Sequence, residues 1–591
     1  MTSTRPHLSI GKGIAAAVLA AIVLTALNAI KPLHIDDVVP WYFANQVLEH
    51  PFSLYDFEIH WQQIPQPAQN PIAPPVLPYW WAAGIKLFGQ NEVLWKLWLF
   101  PFNLALSVAA WAIFRRFARG FEQSLMWCSV LAPSLLPGLN LIIEVPCVSL
   151  SLAATALFFR ACDRRSSGLA ILSGIVCALA MQTKWTAFVV PGVFMLYALT
   201  HGKLKLWILA AGVASLLFVS WEGYTAFQSG ESHFVHQLKI SNPVNEERSL
   251  FLPLITYVGG LAPAAALIGL AGLGGGKKSV TAAALAFVIG FLLIALGSEF
   301  SGSSIRNPLT GRPWQPRLDT PVFLAMGAFV WGVTLLVTLR IWRPFRSLTP
   351  WRRPSLAAGW FLAGWLALEI VGYFVFSPFG AARRVIAVVF VITLIAGRFA
   401  SLTCRSPGRA KLVRWSAAFG VMVGIGYHLV DTAEAIAGER AMNAAARWAH
   451  TQSPDGTCWF SGFWNSEFYG PRAGLKPVIL GQSDLKPGDR VVVIDVKMLE
   501  GNRYLIDASR LTLEQTFATS DAIPFSTVPC YYIGRRPLES QTGPRVVARV
   551  YRVTAPFHPV QELDPQGKTK PKATNVPSPS TTEKAAAGVA E

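Results

Sequence analysis

Two adjacent carboxylates, Asp36 and Asp37, follow directly on a long apolar run, in HIDDVVPWYFANQVLEHP (34–51). At the end of a membrane helix they stand near the interface, within reach of a lipid head group, and solvated loop carboxylates are the alternative reading. A third acid, Glu144 in LPGLNLIIEVPCVSLSLA, is the only charge in its apolar stretch. An ionisable group is expensive there, so a functional reading leads. The alternative is an acid favoured by a helix N-terminus, with Pro146 just behind it as a helix-start residue. Arg383 and Arg384 in FSPFGAARRVIAVVF precede another apolar run. Guanidinium suits phosphate, and snorkelling to the interface is the rival reading. His233 and His236 in HFVHQLK stand at i, i+3, but no third ligand follows at helical spacing, and no metal is assigned.

The elements that must position these groups are membrane helices. Of 591 residues, 52% are hydrophobic and only 14% charged, the composition of a polytopic membrane protein. A net charge of +18 could indicate nucleic acid, but the basic residues form small clusters between apolar runs rather than one stripe. Runs of spanning length fall at about 13–31, 93–114, 122–140, 145–160, 167–183, 186–200, 205–223, 251–272, 279–297, 320–340, 354–377, 382–401 and 413–430, which makes about thirteen helices. With the N-terminus cytoplasmic, clusters such as Arg115, Arg116 and Arg119, Lys277 and Lys278, and Arg405, Arg409 and Lys411 all lie inside. Asp36, Glu144 and everything after about residue 431 then lie outside. The first run reads as a retained helix rather than a cleaved signal, because it is long and no small-residue cleavage site precedes the acidic loop.

The first loop, about 32–92, is rich in Trp, Tyr and Pro, and its VLPYWWAAGIKLF portion reads as a short helix at the membrane surface. After the transmembrane region (1–430), AEAIAGERAMNAAARWAHTQ reads as a helix leading out of the membrane. GDRVVVIDVKML, GNRYLIDASRL and PRVVARVYRVTA read as strands. Together they form a small extracytoplasmic α+β domain over 431–558, followed by a Pro/Ser/Thr/Lys-rich tail (559–591) of disordered composition. The aromatic run WFSGFWNSEFYG within the domain reads as core, with stacking on sugar rings as the alternative. Cys458 and Cys530 are the only cysteines in this segment, and an oxidising compartment would permit a bond between them; two buried free thiols are the other reading.

Several motifs together resemble a known class. The Asp pair after the first helix is followed by Ala44 and Leu48, LYDF (Leu54 to Phe57), Pro74 and Pro75, and KLFG (Lys86 to Gly89). This order resembles the first loop of integral-membrane glycosyltransferases of the GT-C class, more narrowly the family 39 and 83 enzymes, protein O-mannosyltransferase-like and lipid A aminoarabinose transferase-like. IIEVP (Ile142 to Pro146) is similar to their acidic M-L-D-x-P element, and Gly168 to Gly192 to their G-x-x-x-G-L-A-x-L-T-K segment, ending at Lys184. The resemblance implies a GT-C fold and transfer of a sugar from a polyprenyl-phosphate donor, the co-substrate, with no cofactor. The acceptor would be a glycan, lipid or protein at the periplasmic face of a bacterial inner membrane. It implies Asp36, Asp37 and Glu144 as catalytic residues, with the register between Asp36 and Asp37 open. Arg383 and Arg384 would bind the donor phosphate, and Lys86, Lys184, Tyr55 and Asp56 are candidate substrate contacts. The sequence departs from the pattern at Ala73, where aminoarabinose-type enzymes carry Lys, and after the arginines, where R-Y-x-x-P is absent. The rival class is a non-catalytic membrane protein, a transporter or flippase of polyprenyl-linked glycans or a scaffold. Clustering of the acids at one face argues against it.

Overall fold

The structure is a computed structural model. It describes residues 10–60, 63–240, 250–274, 319–342, 354–452, 456–496 except 463, and 507–559 except 533, 535 and 542. The run at 279–297, the Lys277–Lys278 cluster, residues 501–506 of the strand expected at GNRYLIDASRL and the tail beyond Pro559 lie outside these residues; Ala508–Arg510 of that expected strand form a 3₁₀ turn.

The protein is a polytopic α-helical membrane protein with a C-terminal α+β region. Its helices are α1 (Ile10–Ala29), α2 (Val38–Glu49), α3 (Val76–Phe88), α4 (Glu92–Leu97), α5 (Phe100–Phe117), α6 (Glu122–Val130), α7 (Glu144–Arg164), α8 (Ser167–Met181), α9 (Val189–His201) and α10 (Leu204–Ser229). There follow α11 (His233–Ile240), α12 (Phe251–Leu261), α13 (Pro263–Leu273), α14 (Asp319–Trp342), α15 (Pro354–Phe376), α16 (Ile386–Thr403) and α17 (Pro407–Gln452). Among the described residues, seven helices are long and apolar enough to cross a membrane, or eight if the bent pair α12–α13 forms one span.

The count of about thirteen is not confirmed among the described residues, and the run at 279–297 lies outside them. The run at 122–140 is helical only to Val130 and continues as a buried turn, with Pro133 and Pro137 withholding backbone donors. The run at 251–272 bends by 70° between Leu261 and Pro263 for the same reason. α8, at 15 residues, and α9, at 13, are shorter than a span. The first loop holds a second helix, α2, that its polar composition concealed, while α3 forms where a surface helix was expected. The last run does not end near residue 430: α17 continues unbroken for 46 residues. At ~1.5 Å per residue it is more than twice as long as a hydrocarbon core is thick, long enough to reach across a bilayer and project beyond it.

That projection carries the sheet. Two short antiparallel pairs, β1 (Glu58–Ile59) with β2 (Gln66–Pro67) and β7 (Phe525–Ser526) with β8 (Glu539–Ser540), stand apart from it, while strands β3 (Cys458–Ser461), β4 (Lys476–Pro477), β5 (Arg490–Val496), β6 (Leu511–Thr519) and β9 (Val546–Val553) lie in the order β4-β3-β5-β9-β6. The β3–β4 and β3–β5 pairs are parallel, and β9 is antiparallel to both β5 and β6. Alternation along β5 sends Val492 and Ile494 to a core shared with Ala437, Ala441, Ala445 and Ala449 of α17, whose small side chains let the helix lie close. Val491 and Val493 go to the opposite face. Phe460, Phe468 and Tyr469 of the aromatic run are buried in the first core. Cys458 is a buried free thiol, and the side chain of Cys530 lies outside what is described.

A buried ion pair joins the two regions. Lys31, just after α1, meets Asp431 of α17 at 2.5 Å with both side chains fully buried. The Lys31 ammonium also donates to the Pro137 and Leu139 carbonyls at 2.7 and 3.2 Å, satisfying the backbone that the broken run leaves unpaired. At Gly424 of α17 a Cβ would come within 1.8 Å of the Leu131 oxygen, so only glycine lets α17 pass this close to that segment. Lys31→Met should destabilise the protein by about 3–5 kcal/mol because it strands a buried carboxylate, and Asp431→Leu in the same chain should restore most of it. Thermal unfolding in detergent checks both; a single variant as stable as wild type would remove the pair from this role.

Candidate active site

The ends of α1, α7, α8 and α16 meet at one cluster of charged side chains. Directly after α1 the chain makes a single 3₁₀ turn, Ile35–Asp37. Ile35 holds φ at +47°, a conformation that strains a β-branched residue and that persists only where surrounding contacts impose it. Those contacts come from Asp37. One carboxylate oxygen accepts from the His34 amide at 2.6 Å and the other from the Leu141 amide at 2.9 Å. Asp37 is only 1% exposed, and burial pushes its carboxyl up to about 7 against the pull of Lys31. It fastens the first loop to the segment before α7.

Asp36 is turned the other way. Its Oδ2 accepts from Arg383 Nη1 at 2.8 Å, and its side chain keeps 24% exposure. Arg383 Nη1 also lies 3.3 Å from Glu144 Oε1, the same oxygen that accepts from Lys184 Nζ at 2.8 Å. The five residues arrive from four places: the turn after α1, the first residue of α7, the turn after α8, and the 3₁₀ turn Ala382–Arg384 before α16. Glu144 Oε2 and the Nε atoms of Arg383 and Arg384 are buried without a hydrogen-bond partner among the described residues. Such groups are costly unless something else satisfies them.

Charge within the cluster follows from burial and proximity. Burial draws Lys184 down to about 8, with Glu144 opposing. Burial and the neighbouring Arg383 lower Arg384 to about 10. For Arg383, burial is outweighed by Glu144 and Asp36, which raise it. At neutral pH three cations thus face two carboxylates, and the surplus is positive. A cavity of about 80 Å³ opens beside them, with Glu144, Lys184, Arg383 and Arg384 in its wall and Val190, Val193 and Phe390 among its apolar lining. A polar anionic group attached to a hydrocarbon chain matches those two kinds of wall.

The structure therefore brings together Asp36, Glu144, Lys184, Arg383 and Arg384, and separates Asp37 from them by its backbone bonds. Other candidates serve elsewhere. Tyr55 is buried, donates to the Ala73 carbonyl at 3.0 Å and stacks on His233 at 4.4 Å. Asp56 and Lys86 are exposed, and no contact of the described residues ties either to the cluster. His233 Nε2 contacts the Pro71 carbonyl at 3.1 Å and His236 Nε2 contacts Asn70 Oδ1 at 3.1 Å, so both fasten the first loop. Among the described residues no three His, Cys, Asp or Glu side chains gather to hold a metal. Sequence reading missed Tyr532, whose ring lies 5.4 Å from the Arg383 guanidinium carbon. Nothing local marks it, because it comes from the C-terminal region.

A family model described as dolichyl-phosphate-mannose-protein mannosyltransferase matches residues 72–221, a segment containing Glu144 and Lys184 but neither Asp36 nor the arginine pair. Over that segment the chain resembles GT-C glycosyltransferases. No curated protein matches the sequence. Among solved structures, the Archaeoglobus fulgidus oligosaccharyltransferase aligns at 12% identity and a TM-score of 0.45, over 80% of this chain and 64% of that one. This chain thus spans less than two thirds of that protein. ArnT from Cupriavidus metallidurans bound to undecaprenyl phosphate aligns at 13% identity and a TM-score of 0.40, over 92% and 98% of the two chains. The mycobacterial arabinofuranosyltransferase AftD aligns at 14% identity and a TM-score of 0.40, over 93% of this chain and 42% of that one.

Proposed function

We propose that the protein transfers a sugar from a polyprenyl-phosphate donor to an acceptor hydroxyl in a single displacement. Asp36 is the base, and the reaction runs at the extracytoplasmic face of a bacterial inner membrane. The observation that carries this reading is the convergence of Asp36, Glu144, Lys184, Arg383 and Arg384 beside a cavity with an apolar remainder. Lys184 and the two arginines bind the donor phosphate, and Glu144 holds Lys184 and Arg383 in place. Asp36, the more exposed of the two cluster carboxylates, receives the acceptor's proton as its oxygen bonds to the anomeric carbon. The bond from that carbon to the phosphate oxygen breaks, its electron pair stays on the phosphate, and Arg383 and Arg384 stabilise the charge that grows there. Because the leaving group is already an anionic phosphate, the step needs neither a strong general acid nor a cofactor. The positive-inside pattern of the Lys and Arg clusters supports the assigned face. Ala73, standing where aminoarabinose-type enzymes carry Lys, favours a different sugar.

The test is turnover by the purified protein in lipid nanodiscs with a series of polyprenyl-phosphate hexoses and pentoses, reading release of polyprenyl phosphate and glycosylation of envelope extracts. Failure to bind or consume any of them would overturn the reading. Lys184 adds a pH signature. Its charge is present below about pH 8 and lost above it. Binding of a polyprenyl phosphodiester, whose own charge is constant, should therefore weaken as pH rises from 7 to 9, by about tenfold for the loss of one charge-assisted contact. Lys184→Arg should flatten that profile, and an equally steep decline in the Arg variant would assign it to another group.

A further inference from the structure

We infer that Tyr532, supplied by the C-terminal region, is a positioning residue of the donor-phosphate site, its ring face setting the orientation of the Arg383 guanidinium. This rests on the reading of the cluster as that site. Arg383 Nη1 is drawn by two carboxylates, Asp36 at 2.8 Å and Glu144 at 3.3 Å. A guanidinium free to rotate would present both of its terminal nitrogens to them and turn its remaining N–H groups away from a phosphate. A ring against its face blocks that rotation, because cation–π contact fixes the plane that faces the ring. The Tyr532 centroid stands 5.4 Å from the guanidinium carbon. Arg384 is placed similarly, 5.2 Å from the ring of Phe379. The Tyr532 ring is itself held edge-on by His34 at 5.9 Å and by Tyr531 at 5.3 Å. Its hydroxyl is buried without a hydrogen-bond partner among the described residues, so the ring rather than the oxygen places it.

What fixes Tyr532 comes from outside the site. Glu434 of α17 accepts from the Thr527 amide at 3.0 Å, the Thr527 hydroxyl at 2.8 Å, the Val528 amide at 3.1 Å and the Ser526 hydroxyl, and it pairs with Arg545 at 3.3 Å. The Thr527 hydroxyl also contacts Asp431 at 2.9 Å. Beyond Tyr532 the Gly534 amide donates to the Gly380 carbonyl at 2.9 Å, three residues before Arg383. Ser526, Thr527 and Val528 thus sit on a carboxylate anchor on α17 while Tyr532 and Gly534 meet the arginine turn, and the C-terminal region completes the donor site.

The test measures binding of undecaprenyl phosphate by the full chain in detergent for a series at this position. Tyr532→Phe and Tyr532→Trp should bind as wild type, since each keeps a ring face, whereas Tyr532→Leu should bind roughly tenfold more weakly. In an Arg383→Gln background, already weakened, Tyr532→Leu should add no further loss, an outcome a merely structural role would not give. Glu434→Gln loosens the anchor from outside the site and should show the same dependence on Arg383, which covers a Leu variant that does not fold. Wild-type binding by Tyr532→Leu, or an equal further loss without Arg383, overturns the inference while leaving the donor site standing. Unchanged binding by the Arg383→Gln single variant overturns both.

Discussion

Replacing Asp36 by Asn should lower the turnover rate by about 10²–10⁴-fold, the range that loss of a positioned general base produces. Donor binding should stay at the wild-type level or tighten, because Arg383 loses one of the two carboxylates that compete with a phosphate for it. Asp37→Asn should behave differently. Asp37 bonds two backbone amides, and an amide side chain has one oxygen to offer where the carboxylate has two. The variant should lose about 1–3 kcal/mol of stability with turnover per folded molecule largely kept. Initial rates and thermal midpoints measured side by side separate the two. A fully active Asp36→Asn variant, or one whose defect is only in folding, would remove the base from this position.

The arginine pair should give the largest change in donor affinity. With Arg383 and Arg384 both replaced by Gln, Lys184 alone faces Asp36 and Glu144, and the sign of the surplus charge reverses. Loss of two charge-assisted contacts at about 1.5–3 kcal/mol each predicts binding of undecaprenyl phosphate weaker by ~10²–10⁴-fold. Lys at both positions should restore part of it, since an ammonium carries the charge without the planar fork. Added salt should change wild-type binding little, because both guanidinium groups are largely buried and poorly screened. Equilibrium binding across the variants and across salt concentration decides. Affinity untouched in the Gln pair would return the arginines to interfacial snorkelling.

Much of the architecture was legible because lipid and water impose local patterns. A helix in hydrocarbon must satisfy its own backbone, so long apolar runs such as 13–31, 320–340 and 354–377 had to be helices. Residues 490–496 and 546–553 are rich in valine, a β-branched residue suited to strands, and form the paired strands β5 and β9. Where proline interrupts a run, composition does not report the break: the run at 122–140 is helical only to Val130, and that at 251–272 bends by 70°. α2 was hidden for the opposite reason, being too polar to resemble a span yet buried along Phe43, Ala44 and Val47 against the rest of the first loop.

By itself the sequence determined which residues could do chemistry. Acids at a helix end, an acid alone in an apolar run and adjacent arginines before a helix are unusual in a membrane solvent whatever the fold, and four of the five cluster residues were singled out for that reason, with Lys184 marked by its motif. Only the tertiary structure decided which of two neighbouring carboxylates enters the cluster. Asp36 and Asp37 are chemically alike and adjacent, and their directions are set by partners 347 and 104 residues away, Arg383 and the Leu141 amide. Tyr532 was equally invisible, since its ring faces Arg383 only because Glu434 anchors the segment that carries it. Local pattern reports how a segment meets its solvent. The direction of a side chain in a tight turn is set by contacts that exist only once distant segments have packed.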